Sequence, residues 1–501
     1  MKSYLSLIVA FFLLISCNKK IEVKGNIKNA NPLDRIEVIE ASGVATLPLI
    51  NIPVDEKGNF SASFDAPKNG MYLFAYAGKA TMIYLKKGQS LELSGDASSF
   101  PETNQIKGEA KPNNDFLKKA DESFLSYANK INVQKLIETD EPKFIKDFNK
   151  ILTDLTKQID DFGAKYKADS EVITYKKMDT NAKLIGLMDL YEKSHALTTK
   201  NKSYKPAAKF TELKKSLIND EEKMVKEIPA YRQFLLGTLN NDFQKFAQPK
   251  MLSSQQTPLT SELFTDFMKQ KKDFSQTTKD YLFAFIIAND INYENIKKYD
   301  KITKLIDENI KDNTIKDNLK ELQKVLMGFK EGTAPDLALQ NEDGSNTNLK
   351  DLKGKPTLVV FYASYNPNIA FTLVPQLKEL NDTYKSKLNF AYINLDDTQD
   401  QFKKTSSSLL KGLSGSNYFV KDGINSPDAK KFGLYAFKIP SIILIDKDGK
   451  LSGRPYFGID ENFTNQLEKL TGIKAPSQAP PAEISPLPTE KAPSQQPEQA
   501  K

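Results

Sequence analysis

Cysteine is almost missing from this chain: among 501 residues there is one, Cys17. A single thiol excludes an intramolecular disulfide framework. It also excludes chemistry in which one thiolate attacks a disulfide and a second thiol resolves the mixed species. Histidine is as scarce, with His195 alone. That leaves no Ser-His-Asp arrangement to argue, and no His or Cys cluster for zinc or haem. The segment Lys193-Ser194-His195 is polar, which predicts a solvated ring. No glycine-rich phosphate cradle occurs. The formal charge of +7 comes from 71 basic and 64 acidic residues spread along the chain, so nucleic acid is not an expected partner. Neither is a cofactor or a resident metal.

Hydrophobic residues at 39% and charged residues at 27% describe a globular chain, and 501 residues are too many for a single ordinary core. The start is distinct. After Met1-Lys2 an apolar run extends from Leu5 to Ile15 and meets Leu14-Ile15-Ser16-Cys17. The run is short for a membrane span and has the basic start of a signal peptide. An ordinary secretory signal is one reading. The cysteine at the cleavage point resembles the lipobox of bacterial lipoproteins, which implies a signal peptide over 1–16 and acylation of Cys17 as the first mature residue. The bilayer is then a partner, held by about 0.8 kcal/mol for each buried methylene group. Asn18, with no acidic run after it, implies by the same resemblance the outer membrane facing the periplasm.

From Ile21 to Ser99 apolar and polar residues alternate, as in Ile21-Glu22-Val23-Lys24 and Arg35-Ile36-Glu37-Val38, with a turn signal at Asp55-Glu56-Lys57-Gly58-Asn59. This pattern predicts a small antiparallel β-sandwich over 17–110. From there to 331 the period becomes helical. Phe144, Phe148, Ile151, Leu155, Ile159 and Phe162 share one face, Pro229 marks a fresh start, and an amphipathic stretch covers Lys301 to Phe329. An α-helical bundle is expected over 111–331. The last 27 residues, 475–501, hold seven of the 25 prolines among Ser, Gln, Ala and Glu, a composition that cannot bury enough apolar surface to order itself.

The most informative stretch is Leu358-Val359-Val360-Phe361-Tyr362-Ala363-Ser364-Tyr365-Asn366-Pro367-Asn368-Ile369. It reads as a buried strand entering a helix at Pro367. Leu388 to Leu395 is a second such strand ending at Asp396-Asp397, and Lys438-Ile439-Pro440-Ser441 opens a third. Asp396-Asp397 is read as an ordinary strand end in preference to a cation site. The run from Phe361 resembles the F-W-A-S-W-C-P-P-C junction of thioredoxin-like folds. The lead-in from Thr333 resembles that of TlpA-like and peroxiredoxin-like domains. The β region resembles a domain of unknown function that precedes such domains in lipoproteins of Bacteroidetes type. The resemblance implies an α/β thioredoxin-like domain over 332–474, with a cis peptide before Pro440.

It also implies a degenerate site. Asn366, Pro367, Asn368 and Ile369 stand where the family has its two cysteines and the pair between them, so no catalytic residue is expected. In active relatives the backbone beside the cis-proline pairs with an extended peptide, and Tyr362, Tyr365, Ile439 and Pro440 are the residues expected to line that groove. The leading expectation is a membrane-anchored, redox-inactive module that binds a polypeptide or another envelope component. The alternatives are a thiol-disulfide oxidoreductase of the TlpA family that uses a partner's thiol, and a structural envelope scaffold.

Overall fold

A computed structural model describes residues 20–474 apart from 202, 255–256, 272 and 328–330. The signal segment 1–16, Cys17 and the proline-rich tail lie outside the described residues.

The first eight strands are β1 (Ile21–Lys28), β2 (Arg35–Glu40), β3 (Ile50–Pro53), β4 (Asn59–Phe64), β5 (Gly70–Tyr76), β6 (Lys79–Leu85), β7 (Ser90–Asp96) and β8 (Gln105–Lys107). They form two four-stranded sheets, in the orders β4-β1-β7-β8 and β3-β2-β5-β6. Val23 and Leu93 of the first sheet share one core with Val38 and Phe74 of the second. Period-two burial drives this, as in β2, where Ile36 and Val38 are buried and Arg35 and Glu37 are not fully so. The expectation of antiparallel sheets is corrected at one pairing: β1 and β7 run parallel, with Val23 opposite Leu91. The chain builds five other strands between these two, so no hairpin dictates their relative direction.

Helices fill the region from Lys111 to Met327. The helix Glu141–Tyr166 starts where Asp140 accepts the Lys143 amide and Pro142 occupies the first turn, and it buries Phe144, Phe148, Ile151, Leu155 and Ile159. The break at Pro229 separates helices Glu221–Glu227 and Pro229–Ser253. The stretch expected from Lys301 onward is two helices, Tyr299–Asn309 and Asn313–Met327. The Asp280 carboxylate, 3% exposed, explains the break, because it accepts the amides of Lys311 and Asp312 at 3.0 and 2.8 Å. Amides that would otherwise be buried without acceptors are satisfied there. His195 is not solvated as its neighbours predict. Its ring is buried, stacks on Tyr191 at 4.7 Å, and donates from Nδ1 to the Ile137 carbonyl at 2.6 Å. Met71 and Tyr84 of the sheets pack with Phe116, Leu117 and Val172, joining the two regions. Among the described residues no helix is long and apolar enough to cross a membrane.

The C-terminal strands are β9 (Ala338–Asn341), β10 (Asn346–Asn348), β11 (Thr357–Tyr362), β12 (Asn389–Asn394), β13 (Ser416–Phe419) and β14 (Ser441–Ile445). They make one mixed sheet in the order β10-β9-β13-β12-β11-β14. β11, β12 and β13 are parallel, and β14 and β9 run against them. Every residue of β11 and β14 is buried, which is why both read as unbroken apolar runs.

Candidate functional site

The end of β11 delivers the residues of interest. The chain turns at Ser364-Tyr365, Asn366 donates its amide to the Ala363 carbonyl at 3.1 Å, and helical backbone begins at Pro367. The Asn366 side chain is engaged at both ends. Its Oδ1 accepts the Asn368 amide at 3.0 Å, and its Nδ2 donates to the Ile439 carbonyl. Ile369 lies 1% exposed in the core beneath this turn. A π-turn follows over Ile369–Leu373 and leaves Phe371 83% exposed.

Asp396, at the end of β12, holds the turn from below. One oxygen accepts the amide and hydroxyl of Ser364 at 2.7 and 2.9 Å. The other accepts Asn394 Nδ2 and Thr405 Oγ1, each at 2.9 Å. This residue is 1% exposed, and four donors balance the cost of burying its carboxylate. Asp397 reaches outward to the N-terminal sheets and takes Arg35 Nη1 and Nη2 at 2.8 and 2.7 Å. The pair is more than an ordinary strand end, and its oxygens are occupied by donors. Among the described residues no group of three or more His, Cys, Asp or Glu is placed to hold a metal ion.

Arg35 lies with its guanidinium carbon 4.2 Å from the centre of the Tyr365 ring, a cation–π arrangement. It also donates to Asn51, through Nε to the side chain and through Nη2 to the carbonyl at 3.2 Å. Burial works against its charge, but the hydrogen bonds and charge of Asp397 outweigh burial and raise its pKa. Burial pushes the Tyr365 phenol above its ordinary pKa, with Arg35 opposing. Beside this clamp, Asn51 and Asn425 exchange two bonds: the Asn51 amide donates at 2.9 Å and Asn425 Nδ2 donates back at 2.6 Å. Gly423, two residues before Asn425, packs on the backbone that follows β12, where a Cβ would lie 2.2 Å from the Asp396 carbonyl oxygen.

Of the residues expected to line a groove, Tyr362 is 1% exposed and Ile439 5% exposed, so neither forms an open surface. Tyr362 is the last residue of a central strand and points into the core. Tyr365 is half-buried beneath Arg35, and Pro440 is half-exposed after a cis peptide, as the resemblance implied. Both backbone groups of Ile439 are taken within the chain. Its amide donates to the Ala436 carbonyl at 3.1 Å, and its carbonyl accepts from Asn366.

Residues 354–451 match a family model described as thioredoxin-like. This part of the chain is thioredoxin-like. It is similar to a thiol-disulfide oxidoreductase from Bacteroides fragilis, at 24% identity and a TM-score of 0.24 over 28% of this chain and 99% of that one. It is also similar to a thiol:disulfide interchange protein from Bacteroides sp., at 20% identity and 0.25, over 29% and 93% of the two chains. An uncharacterized thioredoxin-like protein from Bacteroides vulgatus is 25% identical at 0.24, over 29% and 90%. None of the curated proteins matches the chain.

Sequence reasoning missed Arg35, Asn51, Asn425 and Lys438 around the thioredoxin-like site. Lys438 precedes Ile439, is 3% exposed, and donates to the carbonyls of Val325 and, at 3.0 Å, Gly433. Burial lowers its pKa to about 8. A usable signal for Arg35 was composition. The chain has three arginines among 71 basic residues, and arginine is the side chain suited to a bidentate, ring-stacked site.

Proposed function

We propose that this chain is a lipid-anchored protein of the cell envelope, built from an N-terminal β-sandwich (17–110), a helical bundle (111–331) and a redox-inactive thioredoxin-like domain (332–474), that binds a polypeptide or another envelope component. The signal peptide 1–16 and acylated Cys17 supply the anchor, and the outer membrane facing the periplasm is the proposed location. The observation that carries the loss of redox chemistry is Asn366. Its amide sits at the helix start where the family's attacking thiolate stands, and it is bound to Asn368 and Ile439. An amide cannot attack a disulfide, and Ile369 cannot resolve one.

Binding at this domain then falls to the rim. Phe371 is 83% exposed, and Phe437, stacked on Tyr435 at 5.7 Å, is 53% exposed. Two large exposed aromatic rings on short helical turns beside the site fit a docking role. A scaffold reading has its own support in the bonds that tie Arg35 to Asp397 and Asn51 to Asn425. Insulin reduction with added dithiol, measured against a no-protein blank, tests the first part: a rate equal to the blank is expected, and a protein-dependent rate overturns it. Capture from envelope extract by the anchored protein, repeated with Phe371→Asp, tests the second. Loss of a captured component is expected, and unchanged capture moves the function to the other regions.

A further inference from the structure

A second surface shares no residue with the site at β11. Strand β6 is the outer strand of its sheet and β8 the outer strand of the other. Both edges open on one cavity of about 510 Å³, floored by the helix Lys111–Ala128. Tyr84 shows which way the β6 backbone turns. Its amide donates to Asn114 Oδ1 at 2.8 Å, and its carbonyl accepts Asn114 Nδ2 at 2.9 Å. The Asn114 side chain therefore caps the edge as one rung of a neighbouring strand would. By the two-residue period of a strand, Met82 and Ala80 turn their amides and carbonyls the same way. Among the described residues nothing pairs with them.

The walls complement a particular occupant. Met82 is 37% exposed and Leu125 60% exposed, so apolar side chains face the opening. Five carboxylates and three lysines line the cavity. Lys176 and Lys183 are held by Asp179, each at 2.7 Å, and by Asp121, and Lys118 donates to the carbonyls of Asn104 and Glu102 at 3.0 and 3.3 Å. The lining's two excess negative charges therefore fall on Glu102, Asp115 and Glu122, of which Asp115 and Glu122 also face Lys111 and Lys119 across exposed pairs. Asn104 in the same wall is 8% exposed, and neither atom of its side-chain amide has a partner.

We infer that this cleft takes an extended polypeptide segment carrying basic side chains, added as a strand to β6 at Ala80 and Met82. Strand addition draws affinity from main-chain bonds and selectivity from alternate side chains, and both are provided here. From Ala80 to Tyr84 the open edge spans about 14 Å at roughly 3.4 Å per residue, room for two pairing residues beyond Asn114. The site is separate from the thioredoxin-like one, so the inference stands whether or not that domain binds anything.

The test uses the full chain and a fluorescein-labelled, capped hexapeptide alternating lysine and valine, read by anisotropy. Binding is expected, at least tenfold tighter than for a glutamate–valine counterpart and abolished by N-methylation of the pairing amides. Met82→Pro removes one outward amide, which an edge strand tolerates, and should weaken binding at least tenfold. Glu102→Lys with Glu122→Lys should weaken it at least fivefold. If Met82→Pro does not fold, exchange protection of the Ala80 and Met82 amides by the peptide decides in its place. Absence of binding, equal binding of the acidic or N-methylated peptide, or exchange at Ala80 and Met82 that the peptide does not slow each overturns the inference.

Discussion

Replacing Asp397 with Asn probes whether the N-terminal sheets close the thioredoxin-like site. The Arg35 side chain is 8% exposed and that of Asp397 19% exposed, and two bonds of 2.7 and 2.8 Å join them. An asparagine supplies one acceptor in place of a charged pair. Asn51 still satisfies Nε and Nη2 of Arg35 and the asparagine oxygen can face Nη1, but the buried guanidinium loses the carboxylate charge it pairs with and meets the Nδ2 donor in place of the other oxygen. Removing one partner of a buried ion pair costs about 3–5 kcal/mol, and the partial exposure of Asp397 points to the lower end, about 3 kcal/mol. A chain of several domains need not unfold in two states, so the readout should be local. The Asn51 amide, bonded to Asn425 across the same contact, is that readout. Its exchange protection should fall roughly 100-fold, at about 1.4 kcal/mol per factor of ten. Arg35→Met with Asp397→Leu should recover most of the loss, because no buried charge is then left uncompensated. Protection within threefold of the parent in Asp397→Asn would show a screened surface pair worth under about 1 kcal/mol, and the closure argument would fail.

Lys438 predicts a pH dependence. Its folded pKa, about 8, lies below the ordinary lysine value, so between about pH 8 and 10.5 the unfolded chain binds the extra proton and stability rises with pH. The cost of burying the charge is fully present below pH 8, on the order of 3 kcal/mol. Lys438→Met should be more stable than the parent at pH 7 by an amount that shrinks toward pH 10 in urea titrations. A constant difference across that range refutes it. Asn366→Cys with Ile369→Cys restores two thiols, the first at a helix start, where a thiol is expected to titrate below about 7.5. Insulin reduction above the parent should appear and rise further with Arg35→Ala, whereas a double variant as inert as the parent would place the block elsewhere. Asn114→Ala leaves the amide and carbonyl of Tyr84 without their partner, at a cost of about 2–4 kcal/mol, visible as a lower urea midpoint.

The sequence made the elements legible wherever one period dominated. β11 and β14 are buried on both faces and read as apolar runs. The helix Glu141–Tyr166 shows its stripe, and Pro229 its break. What stayed hidden depended on partners distant in the chain. His195 sits among polar neighbours, yet the carbonyl that takes its ring proton comes from Ile137, 58 residues away, while Tyr191 and Tyr204 supply the rings that pack on it. The break before Asn313 is made by Asp280, 32 residues from Asp312. Arg35 and Asp397 are 362 residues apart, and no local pattern announces such a pair. Tyr362 reads as a surface residue because it neighbours the turn, but it ends a strand that is buried on both faces and flanked by β12 and β14, which places it inside.

The same distance dependence explains why the candidate site reads as a groove in sequence and as a closed surface in the fold. A cysteine at 366 would have little need of a hydrogen-bond acceptor and would leave the Ile439 carbonyl free. An asparagine brings two donors and an acceptor, and a half-buried amide must find partners. The nearest acceptor is the Ile439 carbonyl, the group that strand addition beside the cis-proline would use. On the proposed reading, the asparagine that stands in place of a thiol is also the group that occupies the Ile439 carbonyl. With Arg35 laid over Tyr365, the closed state is held from both sides of the turn. Asn366→Ala separates the two effects, since it restores no thiol but frees the carbonyl. If the variant gains affinity for an extended peptide at Ile439 while insulin reduction stays at the blank rate, the closure is the work of the asparagine; if it gains none, Arg35 and the rim close the site without it.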